Sequence, residues 1–182
     1  MITLRPITAD DLEMLREHRN RLDTRCWLGD AREVSAERQQ EWFDYRRPPG
    51  KAHQIAVLDG VDVGVARAIP MPVQAQGLER WWGVGADVFY AHRGRGLGHK
   101  VFHAACCYAK AGGAQKLWLK VFSENRRAVS IYKTAGFKID SNAQVEVYHR
   151  GIELSPAGAV SASVRRSVTR LLAAPLTQHH QL

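Results

Sequence analysis

The chain has 182 residues, of which 45% are hydrophobic and 24% are charged, and its formal net charge is +8. This length favours one globular domain that buries about two-thirds of the surface exposed by its unfolded chain. The longest apolar stretches, such as Leu117–Phe122, are too short and too mixed to span a bilayer, so no transmembrane segment is expected.

The charge and the cysteines narrow the expected partners and compartment. A charge of +8 suits nucleic acid, a membrane surface or an anionic small molecule. The arginines are scattered and no aromatic-basic run predicts base stacking, so nucleic acid is not expected. Cys26, Cys106 and Cys107 lack metal-ligand spacing, and Arg5 arrives too early for a signal-peptide core. We therefore expect a cytoplasmic protein without a metal, and a homodimer stays open.

The spacing of apolar residues predicts an α/β (α+β) domain with about seven strands in a mixed central sheet and about four flanking helices. The predicted strands are Ile2–Ile7, His53–Leu58, Val61–Ile69, Arg80–Tyr90, Lys116–Phe122, Phe137–Ile139 and Gln144–Leu154. The predicted helices are Thr8–Asp23, Ser35–Tyr45, Leu97–Ala111 and Asn125–Thr134. Asp59-Gly60 marks a hairpin turn, and the helix Leu97–Ala111 is expected to cross over between neighbouring parallel strands.

The C-terminal segment differs in composition from the rest of the chain. From Ser155 to Leu182 it is rich in Ala, Ser, Val and Arg and has no acidic residue. One helical face would carry Val160, Val164, Val168, Leu171 and Leu172. We expect a domain over residues 1–154 followed by a basic tail, 155–182, that is a short amphipathic helix or disordered. Docking on the body and binding of a membrane surface or a partner are both open.

The stretch Val88–Gly98 predicts an anion-binding turn. The apolar run Ala86–Tyr90 leads into a basic, glycine-rich turn, and a helical pattern follows at once. Glycines let a backbone approach a ligand closely, and the first amides of a helix lack intrahelical acceptors. Together with Arg93 and Arg95, such a turn suits a phosphate or pyrophosphate.

Two segments in this order resemble the GNAT superfamily of acyl-CoA-dependent N-acetyltransferases. Arg93-Gly-Arg-Gly-Leu-Gly98 fits the family's R/Q-x-x-G-x-G/A pyrophosphate loop. The segment Glu124–Phe137 fits its Asn-x-x-Ala-x-x-x-Tyr-x-x-x-Gly-Phe pattern at Asn125, Ala128, Tyr132, Gly136 and Phe137. The resemblance covers Met1–Leu154 and implies acetyl-CoA as cosubstrate and no metal.

A narrower likeness lies near the N-terminus. His18-Arg-Asn20, Asp30 and the segment Val34–Phe43 are similar to a GNAT branch that includes sugar-nucleotide amine N-acetyltransferases. This branch is in turn similar to N-terminal acetyltransferases of ribosomal proteins. Gln39 stands near a position where that branch often has histidine, so the match is partial.

The resemblance implies a set of donor contacts and a general acid. The implied acetyl-CoA contacts are Val88, Phe89, Tyr90, Arg93, Gly94, Arg95, Gly96, Leu97, Gly98, Asn125 and Tyr132. A backbone N–H near Val88 would polarise the thioester carbonyl. Tyr132 would protonate the leaving thiolate, and a packing role between helix and sheet is its alternative. Asn125 is also expected to cap the helix that it begins.

The general base and the acceptor amine are less determined. Asp87, Glu79 and His53 are candidate bases, each of which also suits a surface or hydrogen-bonded role. Lys120 stands where N-terminal protein acetyltransferases often carry an acid, which favours an anionic acceptor. Acceptor contacts are expected among Arg19, Asn20, Trp42 and Trp82, with Arg25 and Trp81 as further members, although tryptophans are also common in cores.

Three functions remain open at this point. The leading hypothesis is direct transfer of an acetyl group from acetyl-CoA to a primary amine of a small molecule, such as an amino-sugar nucleotide. The second is acetylation of a protein N-terminus or lysine. The third is a catalytically idle module that binds acyl-CoA and regulates a partner.

Overall fold

The computed structural model describes residues 1–45, 53–71, 80–150 and 163–173. Its strands are β1 (Ile2–Pro6), β2 (His53–Leu58), β3 (Val61–Pro70), β4 (Trp81–Val88), β5 (Lys116–Phe122), β6 (Phe137–Arg150) and β7 (Ser163–Ala173). Its helices are α1 (Leu12–Asn20), α2 (Leu22–Arg25), α3 (Ala36–Tyr45), α4 (Leu97–Ala111) and α5 (Arg126–Thr134). The described ranges thus hold seven strands and five helices, which confirms the predicted α/β class.

All seven strands form one mixed sheet in the order β1-β2-β3-β4-β5-β7-β6. β4 and β5 are parallel neighbours, and every other described pair of neighbours is antiparallel. The chain passes from β4 to β5 through α4, as expected for a crossover between parallel strands. The hairpin turn between β2 and β3 is also confirmed, since Asp59 and Gly60 have φ angles of 51° and 78°, as in a type I′ turn.

The last two strands differ from the prediction. Phe137–Ile139 and the start of the predicted strand at Gln144 belong to one long strand, β6, whose register shifts between those two segments. The helix expected within the basic tail is wrong over Ser163–Ala173, because this segment is β7 and lies between β5 and β6. The sheet therefore extends beyond residue 154. Residues 151–162 and 174–182 lie outside the described residues.

The error has a physical cause. The apolar residues of this segment are four residues apart, which indicated a helix, but its β-branched residues Val164, Val168 and Thr169 favour a strand over a helix. Pairing with β5 on one side and β6 on the other decides the outcome. Leu171, opposite Leu119 of β5, is fully buried, and this contact is distant in sequence and invisible to local periodicity.

Helices cover both faces of the sheet. One face, which we call the α4 face, carries Val84 and Leu117 and packs against Phe102 of α4. The other face, the α1 face, carries Ile55 and packs against Leu15 of α1. Fully burying a side chain of this size contributes about 1.5–3 kcal/mol, so both layers of the core stabilise the sheet.

A three-residue ion cluster joins the start of α1 to the sheet. The guanidinium of Arg5 on β1 donates to both carboxylate oxygens of Asp11, at 2.8 and 2.7 Å, and also pairs with Asp62 of β3. The backbone N–H of Thr8 donates to Asp11 at 2.7 Å, as in a capping box at the start of a helix. Arg5 lowers the pKa of Asp11 to about 2, which indicates a stabilising contact.

None of the helices in the described ranges combines the length and the apolar character that crossing a bilayer demands.

Candidate active site

The parallel strands β4 and β5 separate part-way along their length. Within these two fully described strands, pairing is limited to Trp81–Gly83 of β4 and Lys116–Trp118 of β5. β4 nevertheless continues to Val88, and β5 continues to Phe122. Beyond Gly83, backbone groups of both strands therefore face a gap, which we call the opening.

The amide of Val88 points into the opening. The neighbouring amide of Phe89 donates to the carbonyl oxygen of Val63 on β3 at 2.9 Å. Successive amides along a strand point to opposite sides, so the Val88 N–H faces away from β3 and toward β5. An extended ligand in the opening would meet this N–H as an added strand would.

The turn between β4 and α4 has the backbone conformation that its glycines permit. Gly94 and Gly96 have φ angles of 80° and 72°, in the left-handed region that other residues adopt only with strain. α4 begins directly after the turn, at the buried Leu97, so the first amides of this helix lack intrahelical acceptors. This arrangement suits a phosphate group.

Gly98 brings the two sequence motifs into contact. A Cβ placed on Gly98 would lie 2.7 Å from Cδ1 of Ile131 in α5, which is closer than real carbon atoms approach. The absence of a side chain thus lets the first turn of α4 pack directly against α5. The glycine turn and the Asn125–Phe137 segment therefore form one end of the opening.

The side chain of Arg93 turns away from the glycine turn, contrary to the expectation that its charge adds to the anion site. Its Nε donates to the carbonyl oxygen of Val88 at 3.0 Å, and its Nη2 donates to Oγ1 of Thr24 at 2.7 Å. It also pairs with Asp23 at 3.2 Å and Asp87 at 3.6 Å. Arg93 therefore ties the turn to α2 and the sheet, and only its backbone remains for a phosphate.

Tyr132 lies on α5 and packs against the core of the α4 face. Its ring centroid is 4.6 Å from that of Phe102. Burial raises the pKa of Tyr132, the guanidinium of Arg67 lowers it, and the carboxylate of Asp87 raises it. Both charged groups lie on the α1 face, whereas Tyr132 packs on the α4 face. They therefore act on the pKa of Tyr132 from the other side of the sheet. The net effect is a raised pKa, so the hydroxyl of Tyr132 stays protonated at neutral pH.

Asn125 caps α5, as expected from the sequence. Its Oδ1 accepts a hydrogen bond from the backbone N–H of Ala128 at 3.2 Å. The cap satisfies one of the first amides of the helix and fixes where α5 begins beside the opening.

Asp87 faces the α1 side of the sheet and pairs with His18. The distance between Asp87 Oδ2 and His18 Nε2 is 2.8 Å. The imidazole of His18 is mostly buried and meets the edge of Phe89, with ring centroids 5.1 Å apart. The side chain of Asp87 remains 42% exposed, so one carboxylate has a buried partner and an open approach. His18 was not expected in this role, and no local pattern links residues so distant in sequence.

The other two candidate bases have different outcomes. His53 lies on the α1 face and its ring centroid is 5.4 Å from that of Trp42 on α3. Trp42, which was expected as an acceptor contact, therefore lies beside the α1 face. Glu79 lies outside the described residues.

Three other expected acceptor residues have structural roles instead. Trp82 is only 8% exposed and packs on the α4 face, where its indole lies against Gly112. The guanidinium of Arg19 donates to two backbone carbonyl oxygens of the segment 30–32, at 2.8 Å each. Asn20 exchanges two hydrogen bonds with the backbone of Val34. Core packing and bracing of the α2–α3 connection occupy these side chains, and their assignment to the acceptor stays a prediction.

The remaining two members of the acceptor set are also engaged. Arg25 forms an ion pair with Glu33 at 3.0 Å. The ammonium group of Lys116 lies 5.1 Å from the ring centroid of Trp81.

Arg67 is a residue near the opening that the sequence did not single out. It lies on β3, and its guanidinium rests on Gly85 of β4. The available signal was one charged residue inside the apolar half of a strand, Val65–Ile69. Within the described residues, no cluster of three or more histidine, cysteine or acidic side chains is arranged to hold a metal ion.

Comparison with known proteins agrees with this geometry. A model of the acetyltransferase (GNAT) family matches residues 12–137, more than half of the chain. YobR, an uncharacterized N-acetyltransferase of Bacillus subtilis, is 44% identical over 46 residues. That match spans 25% of this chain and only 19% of the length of YobR.

Three solved structures share the fold. Spermidine N-acetyltransferase of Vibrio cholerae, in complex with CoA and spermine, is 18% identical with a TM-score of 0.74, and 94% of each chain is covered. YncA of Salmonella typhimurium, solved with acetyl-CoA, is 20% identical with a TM-score of 0.71, covering 100% of this chain and 98% of that one. Ribosomal-protein-alanine N-acetyltransferase of Brucella melitensis is 17% identical with a TM-score of 0.69, covering 93% and 98%.

These proteins differ in their acceptors, so the likeness extends to the fold and not to the acceptor. With the family match and the two adjoining motifs at a split between parallel strands, the chain belongs to the GNAT family of acyl-CoA-dependent N-acetyltransferases.

Proposed function

We propose that this protein transfers the acetyl group of acetyl-CoA directly to a primary amine of a small molecule, with Tyr132 as general acid and Asp87 as general base. The observation that supports the proposal is that the two residues lie close enough to interact electrostatically. The charge of Asp87 alters the pKa of Tyr132 although the two residues belong to opposite faces of the sheet.

The opening and the turn beside it suit acetyl-CoA. The left-handed Gly94 and Gly96, the free first amides of α4 and the exposed Arg95 fit a pyrophosphate. The split edges of β4 and β5 fit an extended arm, and the Val88 amide is placed to donate to the thioester carbonyl. When bound there, acetyl-CoA supplies an activated acetyl group on a thiol leaving group.

Tyr132 is suited to give a proton to the departing thiolate. Because burial raises its pKa, the hydroxyl is protonated throughout the physiological range. The nearby guanidinium of Arg67 acts in the opposite direction and favours the charged form of Tyr132 during proton transfer. A general acid needs both a held proton and a way to stabilise its loss.

Asp87 is suited to take the proton of the acceptor amine. Its carboxylate is exposed on the α1 face, while His18 and Arg93 hold its two oxygens from behind, at 2.8 and 3.6 Å. An aliphatic amine is mostly protonated at pH 7 and must lose a proton before it attacks. His18 is a positioning residue in this scheme, since it contacts Asp87 rather than the acceptor.

Direct transfer is favoured over an acetyl-cysteine route. Burial raises the pKa of the Cys106 thiol, the cysteine that packs nearest the core around Tyr132, to about 12. A thiol that stays protonated is a poor nucleophile. Cys107 is exposed one residue further along α4.

The proposed acceptor is a small amine that also carries negative charge, and an amino-sugar nucleotide is one example. The net charge of +8 and the exposed Lys120 beside the opening support this choice. Lys120 also follows Trp118 along β5, with its ammonium 5.7 Å from the indole centroid, so an aromatic surface lies next to the cation.

A CoA-release assay tests the proposal. The full chain would be mixed with acetyl-CoA, a thiol reagent and separate amines: an amino-sugar nucleotide, an amino acid, a polyamine and a peptide with a free N-terminus. We expect release with at least one small amine. Release with the peptide alone would indicate protein acetylation instead. Tight CoA binding without release from any amine would contradict catalysis and favour an idle acyl-CoA-binding module.

A further inference from the structure

Arg67 lies centrally on the α1 face. It pairs in register with His53 of β2 on one side and with Gly85 of β4 on the other. Residues opposite each other in antiparallel strands point to the same face, so these three form a row across the sheet. A Cβ on Gly85 would lie 2.8 Å from Nη2 and 3.2 Å from Cζ of Arg67. The guanidinium therefore crosses over β4 toward the opening.

The position of Arg67 is that of a side chain in a concave site. Protein atoms surround it closely enough that loss of solvation lowers its pKa, yet its side chain remains open to solvent. The guanidinium is therefore partly desolvated and still accessible from solvent. Tyr132 is near enough to raise the pKa of Arg67, which acts against the effect of burial.

Arg67 has no partner for its charge within the described residues. Other arginines around the same face are paired: Arg5 with Asp11 and Asp62, Arg25 with Glu33, and Arg93 with Asp23 and Asp87. A guanidinium remains charged in proteins and offers five N–H donors in a planar fork. A partly desolvated guanidinium that is not paired with a carboxylate of the protein is suited to bind a carboxylate of a ligand.

Arg67 and Asp87 are spaced to hold two ends of a small molecule. Asp87 is in register with Val65, two residues from Arg67 on the same face. Such diagonal neighbours lie roughly 7–8 Å apart. A small molecule whose amine and acidic group are only a few bonds apart is short enough to contact both side chains at this spacing. His53 lies beside Arg67 on the neighbouring strand, and the ring of Trp42 packs against His53.

We infer that Arg67 binds an acidic group of the acceptor, a carboxylate or a similar oxyanion, placed a few bonds from the amine that is acetylated. The inference rests on the proposed function and narrows its acceptor to compounds of amino-acid type. Arg67 is then a specificity-determining residue, which binds the acidic group of the acceptor and positions its amine beside Asp87.

The test compares acceptors that differ in the acid alone. Rates of CoA release would be measured with α-amino acids and with their carboxamides, for the wild type, Arg67→Gln, Arg67→Lys and a surface control, Lys110→Gln. Lys110 is exposed in the last turn of α4. Thermal unfolding and the KM for acetyl-CoA would show that each variant is folded and binds its donor.

We expect the wild type to prefer the acids. Arg67→Gln should lower kcat/KM for acids about 10- to 100-fold, as for a hydrogen bond to a charged group, and change that for amides less than about threefold. Arg67→Lys should recover part of the loss, because it keeps the charge without the planar fork. Lys110→Gln should match the wild type.

Three results would overturn the inference. Equal losses on acids and amides would place Arg67 in the chemistry or the donor site. A wild-type preference for amides or polyamines would leave the proposed function intact and remove the role of Arg67. If none of the amines caused CoA release, both the proposed function and this inference would be overturned.

Discussion

The two sides of the opening are built in different ways. The proposed donor side consists of two continuous segments, the turn Arg93–Gly98 and the start of α5, whose backbone conformations would bind acetyl-CoA. The acceptor side consists of single side chains from distant segments, such as His18 of α1, Arg67 of β3 and Asp87 of β4. Backbone sites leave a readable local pattern, whereas side-chain sites assembled by tertiary contacts do not.

Arg93 shows how the two sides are joined. It begins the glycine-rich motif, but its guanidinium reaches Thr24 of α2 and Asp87 of the sheet. Its charge is therefore used to fix the turn against the acceptor side. A residue can belong to a donor motif by sequence and to the acceptor side by its contacts.

The largest expected effect comes from breaking the donor backbone. Gly96→Glu should reduce acetyl-CoA affinity below detection, because Gly96 has a φ angle of 72° and the added carboxylate repels phosphate. Gly96→Ala should show a smaller loss, from backbone strain alone. Calorimetric titration with CoA measures both, and Gly29→Glu is the control, since Gly29 has open space around it. Unchanged affinity in Gly96→Glu would show that the turn does not bind the donor.

The next effect concerns the proposed general acid, Tyr132 of α5. Tyr132→Phe should lower kcat about 100-fold or more and leave the Kd for CoA nearly unchanged, since it removes a proton donor and keeps the ring. Burial raises the pKa of Tyr132, so wild-type kcat should lose its acid-dependent part only above the ordinary tyrosine range near pH 10. Equal turnover in the variant would rule out this role.

A smaller loss is expected from the base on the acceptor side. Asp87→Asn should lower kcat/KM for the amine about 10- to 100-fold at pH 7. The deficit should shrink as pH rises toward the pKa of the amine, because a neutral amine needs no base. His18→Gln should cause a milder loss with the same pH trend, since His18 acts through Asp87 at 2.8 Å. A deficit that is constant with pH would indicate a structural role for Asp87.

The smallest effect should come from the ion cluster that holds α1 on the sheet. Arg5 lowers the pKa of Asp11 from 3.8 to about 2, so the stabilisation is complete above about pH 5 and disappears as pH falls toward 2. Asp11→Asn should cost about 1–3 kcal/mol of unfolding free energy at pH 7 and weaken the pH dependence in that window. Denaturant titrations between pH 2 and 7 measure this. Asp11→Asn should also raise the KM for the amine more than the KM for acetyl-CoA. A larger rise in the KM for acetyl-CoA would contradict the division into a donor side and an acceptor side.

Much of the fold followed from local patterns. The hairpin at Asp59-Gly60, α4 between parallel strands and the cap at Asn125 depend on turn chemistry and helix-end hydrogen bonds among residues close in sequence. β7 did not, because its strand state depends on pairing with β5 and β6. A short basic segment with helical spacing becomes a strand when two partner edges are available.

The sequence by itself determined the family and predicted a donor site, since glycine φ angles, helix-end amides and Asn-capping are properties of adjoining residues. Only the tertiary structure decided which polar side chains meet. It buried Trp82, engaged Arg19 and Asn20 in bracing, paired His18 with Asp87 and left Arg67 without a described partner. The physical reason is that burial and ion pairing depend on where sheet faces and helices meet, which local spacing does not specify.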